Sequence, residues 1–409
     1  MNVTNIAEET YQLSINLENI LFEGLWEIPN GASINSYIIK GEKTAIVDGV
    51  CSWNGAPESL FSALNEMAVS PESIEYLIVN HMEPDHSGWI EAFKKLNSKV
   101  KIVCSSKAKD LLGAFCGITE NIICVKHGDT LDLGNGHILI FAEIPNVHWP
   151  DTIATFDAST GILFSCDAFG SFGKITSSKY ADDLSDEELK AYENDTIRYY
   201  SNIVATFSMQ VKNAISKCKA LPIKMIAPSH GLMWRNTDKI IEAYSNYASY
   251  QNGPARQEIT LIWGSMYGMT EKAVKHVIGI LEKEDIIVHV HRVPQDSWGT
   301  VLTSAWTSTG IILAMPTYEY KMFPPMAAVL EELGKKKVCN RKVFRFGSYG
   351  WSGGAQRELD DINTRLNMHW EFLEPVEFKG NPSSGEIELI SQRVQDLIKE
   401  VKDIGEKPC

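Results

Sequence analysis

Between residues 258 and 402, short apolar runs alternate with amphipathic stretches at regular intervals, and this alternation limits the possible folds more than any other feature of the chain. "EITLIW" (258–263), "IIVHVHR" (286–292), "GIILAMP" (310–316), "KVFRFG" (342–347) and residues 371–377 are rich in β-branched and apolar side chains, as strands are. Helical periodicity falls between them, over 270–283, 298–306, 323–333, 355–367 and 386–402. Five strands, each followed by a helix, predict a doubly wound parallel sheet. Such sheets bind ligands beyond the carboxyl ends of their strands.

The first half has a different rhythm. "TAIVDGV" (44–50), "IEYLIVN" (74–80), "KIVCS" (101–105), "HILIFAEI" (137–144), "ILFSCD" (162–167) and "KMIAPS" (224–229) read as strands separated by irregular loops. Residues 197–218 read as one long amphipathic helix, and the first 20 or so residues carry no motif. "QNGPARQ" (251–257) interrupts the pattern with a Gly-Pro turn in a polar stretch. We therefore expect two domains, 1–253 and 254–409, as suits a chain of 409 residues.

Composition excludes several classes. A formal net charge of −14 opposes broad binding to nucleic acid, which needs Lys and Arg against phosphates. No apolar run reaches the ~18 residues of a membrane span. The polar, acidic start "MNVTNIAEET" lacks the basic and apolar regions of a signal peptide. The cysteines (Cys51, Cys104, Cys116, Cys124, Cys166, Cys218, Cys339 and Cys409) form no C-x-x-C pair. Reduced thiols in a cytoplasmic protein are expected, with no four-cysteine iron module and no further redox domain after residue 409. Cys166 reads as a packing residue.

"NHMEPDHSG" (80–88) places His81, Glu83, Asp85 and His86 within six positions, directly after a predicted buried strand. An extended loop would present His81, Glu83 and Asp85 to one side, with His86 in a further direction; Pro84 stiffens the segment and Gly88 permits a close turn. Three more candidates follow predicted strands: His148 in "NVHWPD", Asp167 in "ILFSCD" and His230 in "PSHGLMW". Singly, each would read as a hydrogen-bonded histidine or a turn cap. Together the seven suggest a metal centre at one end of a layered sheet, with Trp149 as a candidate neighbour.

In the second half, "GSMYGMTEKA" (264–273) joins the first strand to a helix. That layout surrounds a phosphate with backbone N–H groups at the helix's positive end. It is neither G-x-G-x-x-G nor a P-loop, so neither a dinucleotide nor ATP is expected. It resembles the phosphate loop of flavodoxins, which hold FMN. "PTYEYKMFPP" (316–325) and "GSYGWSGGA" (347–355) follow the third and fourth strands, where the flavin ring would lie. The expected FMN contacts are Ser265, Met266, Tyr267, Gly268, Met269 and Thr270 in the first loop. The second supplies Pro316, Thr317, Tyr318 and Glu319. The third supplies Ser348, Tyr349, Gly350, Trp351, Ser352 and Gly353.

"HMEPDH", "HWPD", "SCDAFG" and "PSHG", in this order, resemble the metallo-β-lactamase superfamily, whose αββα sandwich holds two metals. The usual cluster there is H-x-H-x-D-H, and here Glu83 stands at the middle histidine. A carboxylate hardens that site, favouring iron or manganese over zinc. With "WEIPNGASINSYII" (26–39), this variant resembles the flavodiiron proteins, or A-type flavoproteins, over nearly the whole chain. The resemblance implies one iron held by His81, Glu83 and His148, another held by Asp85, His86 and His230, and Asp167 bridging them. It also implies electrons passing from an external donor through FMN to the diiron site, with reduction of O2 to water or NO to N2O. The implied donor is rubredoxin, with reduced coenzyme F420 as runner-up. The implied assembly is a head-to-tail homodimer or a dimer of such dimers. Two other readings compete: a metallo-hydrolase fused to a flavodoxin-like electron carrier, which Glu83 opposes, and a carrier or sensor without turnover, which the complete ligand set opposes.

Overall fold

The computed structural model describes residues 2–51 and 57–404; Cys409 lies outside the described residues. The chain divides into two compact units, residues 1–245 and 246–409. The division falls inside the helix Thr237–Ser249, ahead of the Gly253-Pro254 turn. The end of that helix and the turn after it are tied into the second unit: Trp306 Nε1 donates to the Tyr247 carbonyl (3.1 Å) and Arg341 Nη2 to that of Tyr250 (2.7 Å).

The first unit contains two stacked sheets. One runs in chain order: β1 (Asn2–Ala7), β2 (Thr10–Leu17), β3 (Ala32–Lys40), β4 (Thr44–Val47), β5 (Ile74–Ile78), β6 (Lys101–Cys104) and β7 (Ile122–Cys124). It is antiparallel as far as β4 and parallel beyond. The opening residues, which carry no sequence motif, thus form its first two strands. The other sheet is β8 (Thr130–Asp132), β9 (Ile138–Glu143), β10 (Ile153–Asp157), β11 (Ile162–Cys166) and β12 (Met225–Pro228). Tyr37, Ile39, Val47 and Ile78 of the first sheet meet Leu139, Phe141, Ile153 and Phe164 of the second in a shared core. A separate core on the first sheet's other face packs Leu13, Ile38, Ile46 and Leu77 with Leu60, Phe93 and Leu112 from helices Glu58–Glu66, Ile90–Leu96 and Ser106–Cys116. Helices on the outside and two sheets within make the αββα sandwich expected from the sequence.

The long helix predicted over 197–218 is instead interrupted. An α-helix spans Asp186–Tyr199, a π turn Tyr200–Val204, a 3₁₀ turn Ala205–Phe207, and a second α-helix Ser208–Cys218. The first begins early because Ser185 and Glu188 form a reciprocal capping box. The π turn buries all of its residues, Tyr200 to Val204, at the break.

The second unit has the strand order β14 (Ile287–Arg292), β13 (Arg256–Trp263), β15 (Ser308–Ala314) and β16 (Lys342–Tyr349). All are parallel. The strand predicted over 371–377 is two pieces, β17 (Glu371–Phe372) and β18 (Val376–Lys379), both pairing with β16. This five-position order, 2-1-3-4-5, is the flavodoxin-like one. Helices Met269–Leu281 and Ser384–Asp403 contribute Val274, Val277, Val394 and Leu397 to the core on one face.

Candidate metal centre

All seven predicted metal residues come together, buried, at one end of the two stacked sheets. Each is delivered by a strand end. β5 leads to Asn80, which is fixed on every side: its N–H and Nδ2 donate to Asp48 (2.8 and 3.2 Å), its Oδ1 accepts from Thr155 (2.7 Å), and its carbonyl accepts from Ile153 (2.9 Å). His81 follows at once.

The segment after it is not the extended loop predicted from the spacing. Glu83 is extended (φ −58°, ψ 142°), and then Pro84–Ser87 forms a single helical turn. Pro84 opens that turn, and Ser87 Oγ closes it by donating to the carbonyls of Met82 (2.8 Å) and Glu83 (3.0 Å). This change of backbone separates His81 and Glu83 from Asp85 and His86. Gly49 lets the turn sit close, because a Cβ there would meet Trp89 Nε1 at 1.6 Å while that nitrogen donates to the His86 carbonyl (2.7 Å). His230 is anchored across the sandwich. Its Nδ1 contacts the Ser33 carbonyl (2.9 Å), and Asn35 Nδ2 donates to the carbonyls of Pro228 and Gly231 (both 2.9 Å).

The result is two groups joined by one carboxylate. Glu83 Oε2 lies 3.2 Å from His81 Nε2 and 2.9 Å from His148 Nε2. Asp85 lies 3.6 Å from His86 Nε2 and 3.3 Å from His230 Nε2. Asp167 spans both: Oδ2 is 3.5 Å from His81 and 3.4 Å from His148, and Oδ1 is 3.1 Å from His86 and 3.3 Å from His230. All four imidazoles direct Nε2 inward. Yet among the described residues both oxygens of Asp85, both of Asp167 and both nitrogens of His86 are buried without an aligned hydrogen bond. Buried polar atoms are normally paired. Lone pairs that converge on shared space rather than on one another fit a cation between them.

Charge agrees with that fit. Burial alone would lower the His81 imidazole. Its contacts with Asp151, Glu83 and Asp167 outweigh burial and raise it to about 10 in the metal-free protein. His86 and His230 are raised to about 10 against the same burial cost, by Asp85 and Asp167. Burial opposes ionisation of Asp167, but His86, His230 and His81 hold it well below the usual carboxylate range. The three carboxylates therefore demand positive charge, as protons or as metal. Aromatic rings wall the site: Trp149 stands edge-on to His81 (4.9 Å), Phe22 edge-on to His230 (5.4 Å), and Tyr199 lies 5.8 Å from His230. Cys166 is buried beside the cluster, its thiol pushed up by burial and by Asp167 and Asp48, as a packing residue would be. Sequence reasoning missed Asp48, Asp151 and Tyr199. Only Asp151 stood within a motif already singled out, "NVHWPD".

The three loops of the second unit lie past β13, β15 and β16, neighbours in the sheet. Gly268 (φ +86°) caps the helix Met269–Leu281 without a side-chain hydrogen bond, which leaves its first N–H groups to an anion. Ser265 Oγ accepts from the Gly268 N–H (3.1 Å), holding that turn, while Met266 and Tyr267 are exposed, Tyr267 at 83%. The hydroxyl of Thr270, one of the expected FMN contacts, pairs with Ser348 Oγ at 2.9 Å and joins two of the loops. Pro316 follows β15, and Thr317 and Tyr318 pair with Lys321 and Met322 in a small hairpin turned by Glu319 and Tyr320 at positive φ. Thr317 Oγ1 accepts from the Ala355 N–H (3.3 Å). Ser348 and Tyr349 end β16; Gly350, Ser352 and Gly353 flank Trp351, which is 71% exposed and edge-on to Tyr320 at 6.2 Å. Tyr320 was not among the predicted contacts, although it stands in the quoted loop. Uncapped helix N-terminus, glycine turn and exposed aromatic rims suit a flat phosphorylated ring system.

Fold and site thus define a class: a metallo-β-lactamase-like sandwich with a carboxylate-rich dimetal cluster, followed in the chain by a flavodoxin-like unit. Residues 32–231 match the family model described as ODP family beta lactamase. The anaerobic nitric oxide reductase flavorubredoxin of Aliivibrio fischeri is 34% identical over 386 residues, 92% of this chain and 74% of that protein. The flavorubredoxin of Escherichia coli is 32% identical over 381 residues, covering 90% and 76%. Among solved structures, rubredoxin oxygen:oxidoreductase from Desulfovibrio gigas superposes with a TM-score of 0.89 at 25% identity, covering 98% of this chain and 99% of that one. A variant of the flavo di-iron protein from Thermotoga maritima gives 0.87 at 28% identity, covering 98% and 99%. The chain belongs to the flavodiiron protein family.

Proposed function

We propose that this flavodiiron oxidoreductase takes electrons from rubredoxin and reduces O2 to water, with reduction of NO to N2O as its second reaction. The observation that carries the reading is Asp167, which turns one oxygen to each of two His-and-carboxylate groups. In this reading His81, Glu83 and His148 hold one iron and Asp85, His86 and His230 the other, with Asp167 shared. Glu83 favours iron over zinc, because a second carboxylate in a two-histidine group is a harder donor than imidazole. The named relatives include nitric oxide reductases and a rubredoxin oxygen:oxidoreductase, which supports both oxidants and the donor.

FMN and the iron pair, when bound, supply the electron storage and transfer chemistry between donor and oxidant. The chain's own residues position and shield. Ser265 to Thr270 would hold the FMN phosphate at the helix N-terminus; Thr317, Tyr318, Tyr349 and Trp351 would border the ring. Trp149, Phe22 and Tyr199 give the metal cluster apolar walls that limit side reactions with water. Reduction of O2 to water consumes four electrons and four protons, and reduction of two NO to N2O and water consumes two of each. A head-to-tail homodimer, alone or paired as a tetramer, and a cytoplasmic location complete the reading. The free cysteines Cys51, Cys104, Cys116, Cys124, Cys166, Cys218 and Cys339 support a reducing compartment. Among the described residues no helix is long and apolar enough to cross a membrane.

The test combines metal analysis with steady-state turnover on O2 and on NO under matched supply of reduced rubredoxin or reduced coenzyme F420. Two irons and one FMN per chain, with oxidant consumption driven by rubredoxin and no hydrogen peroxide, is the expected result. Two zinc ions without iron would replace this reading with the hydrolase one.

A further inference from the structure

Each inward-facing imidazole also has an outward nitrogen, and what holds that nitrogen decides whether Nε2 is free to bind metal. For His230 the answer is complete: Nδ1 lies 2.9 Å from the Ser33 carbonyl, an atom that can only accept, so Nδ1 keeps its proton when the ring becomes neutral and Nε2 is the nitrogen left to a metal. For His81 the structure leaves two buried atoms facing each other. His81 Nδ1 lies 3.5 Å from Asp151 Oδ1, and neither atom has a hydrogen-bond partner elsewhere among the described residues. Both side chains are fully shielded from solvent. Two orphaned polar atoms, one able to donate and the other only to accept, have no other means of satisfaction.

Asp151 is itself held firmly. Its other oxygen, Oδ2, accepts the Met82 N–H at 2.8 Å, the amide that follows His81 in the chain. Its backbone carbonyl accepts Ser105 Oγ at 2.8 Å, at the end of β6. One carboxylate thus grips the ligand segment by its backbone and faces the ligand ring by its outer nitrogen. It also lies three residues beyond His148, so one short turn serves two histidines of the same group.

We propose that Asp151 is the positioning residue of the His81 group: it fixes His81 as the Nδ1–H tautomer and thereby sets the metal affinity of the site built from His81, Glu83 and His148, with much less effect on the Asp85, His86 and His230 site. This rests on the diiron reading above. A carboxylate behind a ligating imidazole also makes the ring a stronger donor, and loss of such a partner typically costs about 10–100-fold in metal affinity.

The test is D151N. The amide has the shape of the carboxylate, and its oxygen can still accept from Met82. Its NH2 then faces His81 Nδ1 and donates, which forces the proton onto Nε2, the wrong nitrogen for metal. The control S105A removes the bond to the Asp151 carbonyl and leaves its carboxylate in place. Chelator-stripped wild type, D151N and S105A, each with FMN bound, are titrated with Co(II) under anaerobic conditions, following the visible ligand-field bands and metal per chain. Thermal unfolding of the metal-free proteins is measured alongside. The expected result is two Co(II) sites in wild type and S105A. In D151N one site should be weakened by about 10–100-fold and the other nearly unchanged, in a metal-free protein that still folds but has lost the stabilising His81–Asp151 charge pair. Two sites of wild-type affinity in D151N would overturn the proposal. Equal weakening of both sites, or weakening matched in S105A, would overturn it in favour of a merely structural role. Failure of wild type to bind two ions would instead overturn the diiron reading.

Discussion

Replacing Asp167 by alanine should empty the metal centre and leave the flavin in place. The side chain is buried, and its two oxygens stand 3.1–3.5 Å from four imidazole Nε2 atoms. D167A deletes one ligand from each group and one of the three negative charges that draw cations into the site. Loss of a mere hydrogen-bonding partner behind a ligand costs about 10–100-fold in affinity. Loss of a ligand shared by both ions should therefore exceed about 100-fold at each. FMN should stay near one per chain, because its candidate loops, 264–270, 316–320 and 348–353, all belong to the second unit. The cavity is small, and the freed imidazoles can lose their protons, so the chain should still fold. The assay is iron and flavin content after anaerobic reconstitution, followed by O2 and NO consumption. An expected variant holds FMN, carries well under one iron per chain and consumes neither oxidant. Two irons with normal turnover would refute the bridging role, and loss of FMN together with iron would refute the independence of the two sites.

Four further outcomes follow from the same geometry. E83H should raise zinc retention relative to iron and suppress oxidant reduction, read by metal content after growth with both metals. In the metal-free protein His81, His86 and His230 are raised to about 10, above the ~6.5 of an unfolded histidine. Their stabilising contribution is therefore complete below pH ~6.5 and lost as pH rises towards 10, so the metal-free melting temperature should fall over that range while the iron-loaded protein's does not. G49A drives a methyl group into Trp89 and should destabilise by about 1–3 kcal/mol or more, seen as a lower denaturation midpoint and looser iron. W351A removes the exposed indole beside Tyr320 and should weaken FMN binding by about 0.5–1.5 kcal/mol, roughly 2–13-fold, in a flavin-fluorescence titration.

The second unit was legible because its central strands β13, β15 and β16 are buried on both faces and its helices are amphipathic, so both periods stand out in the sequence. Only its last strand misled, since Leu373 to Pro375 step out of register and split it into two pieces on β16. The candidate metal residues were legible for a different reason: few side-chain types can hold a metal, four of them stood within six positions, and the others followed predicted strands. The first two strands were not legible, because β1 is an edge with mixed burial and β2 buries polar residues such as Thr10, Gln12 and Ser14. The interrupted helix was missed because its periodicity continues through the π turn at Tyr200–Val204, and only three-dimensional packing reveals the extra residue per turn. Spacing alone suggested an extended ligand loop. It could not show that Pro84 begins a helical turn whose closure depends on Ser87, and so it named residues that do come together, but on the wrong backbone.

That backbone difference bears on why the centre is divided as it is. On an extended strand, alternate residues face one way, and His81, Glu83 and Asp85 would crowd one ion. The helical turn from Pro84 rotates Asp85 and His86 away, so one six-residue segment supplies both groups. Asp167 then has to reach across the gap, and it does so from a strand end whose preceding residue, Cys166, adopts φ +57°. A position in the left-handed region costs a non-glycine residue conformational energy, and strain of this kind persists only where the surroundings fix it. Here they do: Cys166 is buried, its carbonyl accepts the Ser229 N–H at 2.9 Å, and Ser229 is followed at once by His230. The same hydrogen bond therefore sets the bridging carboxylate and a histidine of the second group. C166G should relieve the left-handed strain but free this segment, so the metal-free protein should lose less stability than burial of the thiol alone predicts, while iron is retained less tightly. A melting curve that falls by the full cost of the lost side chain, with iron affinity unchanged, would show that the bend at Cys166 does not control the bridge.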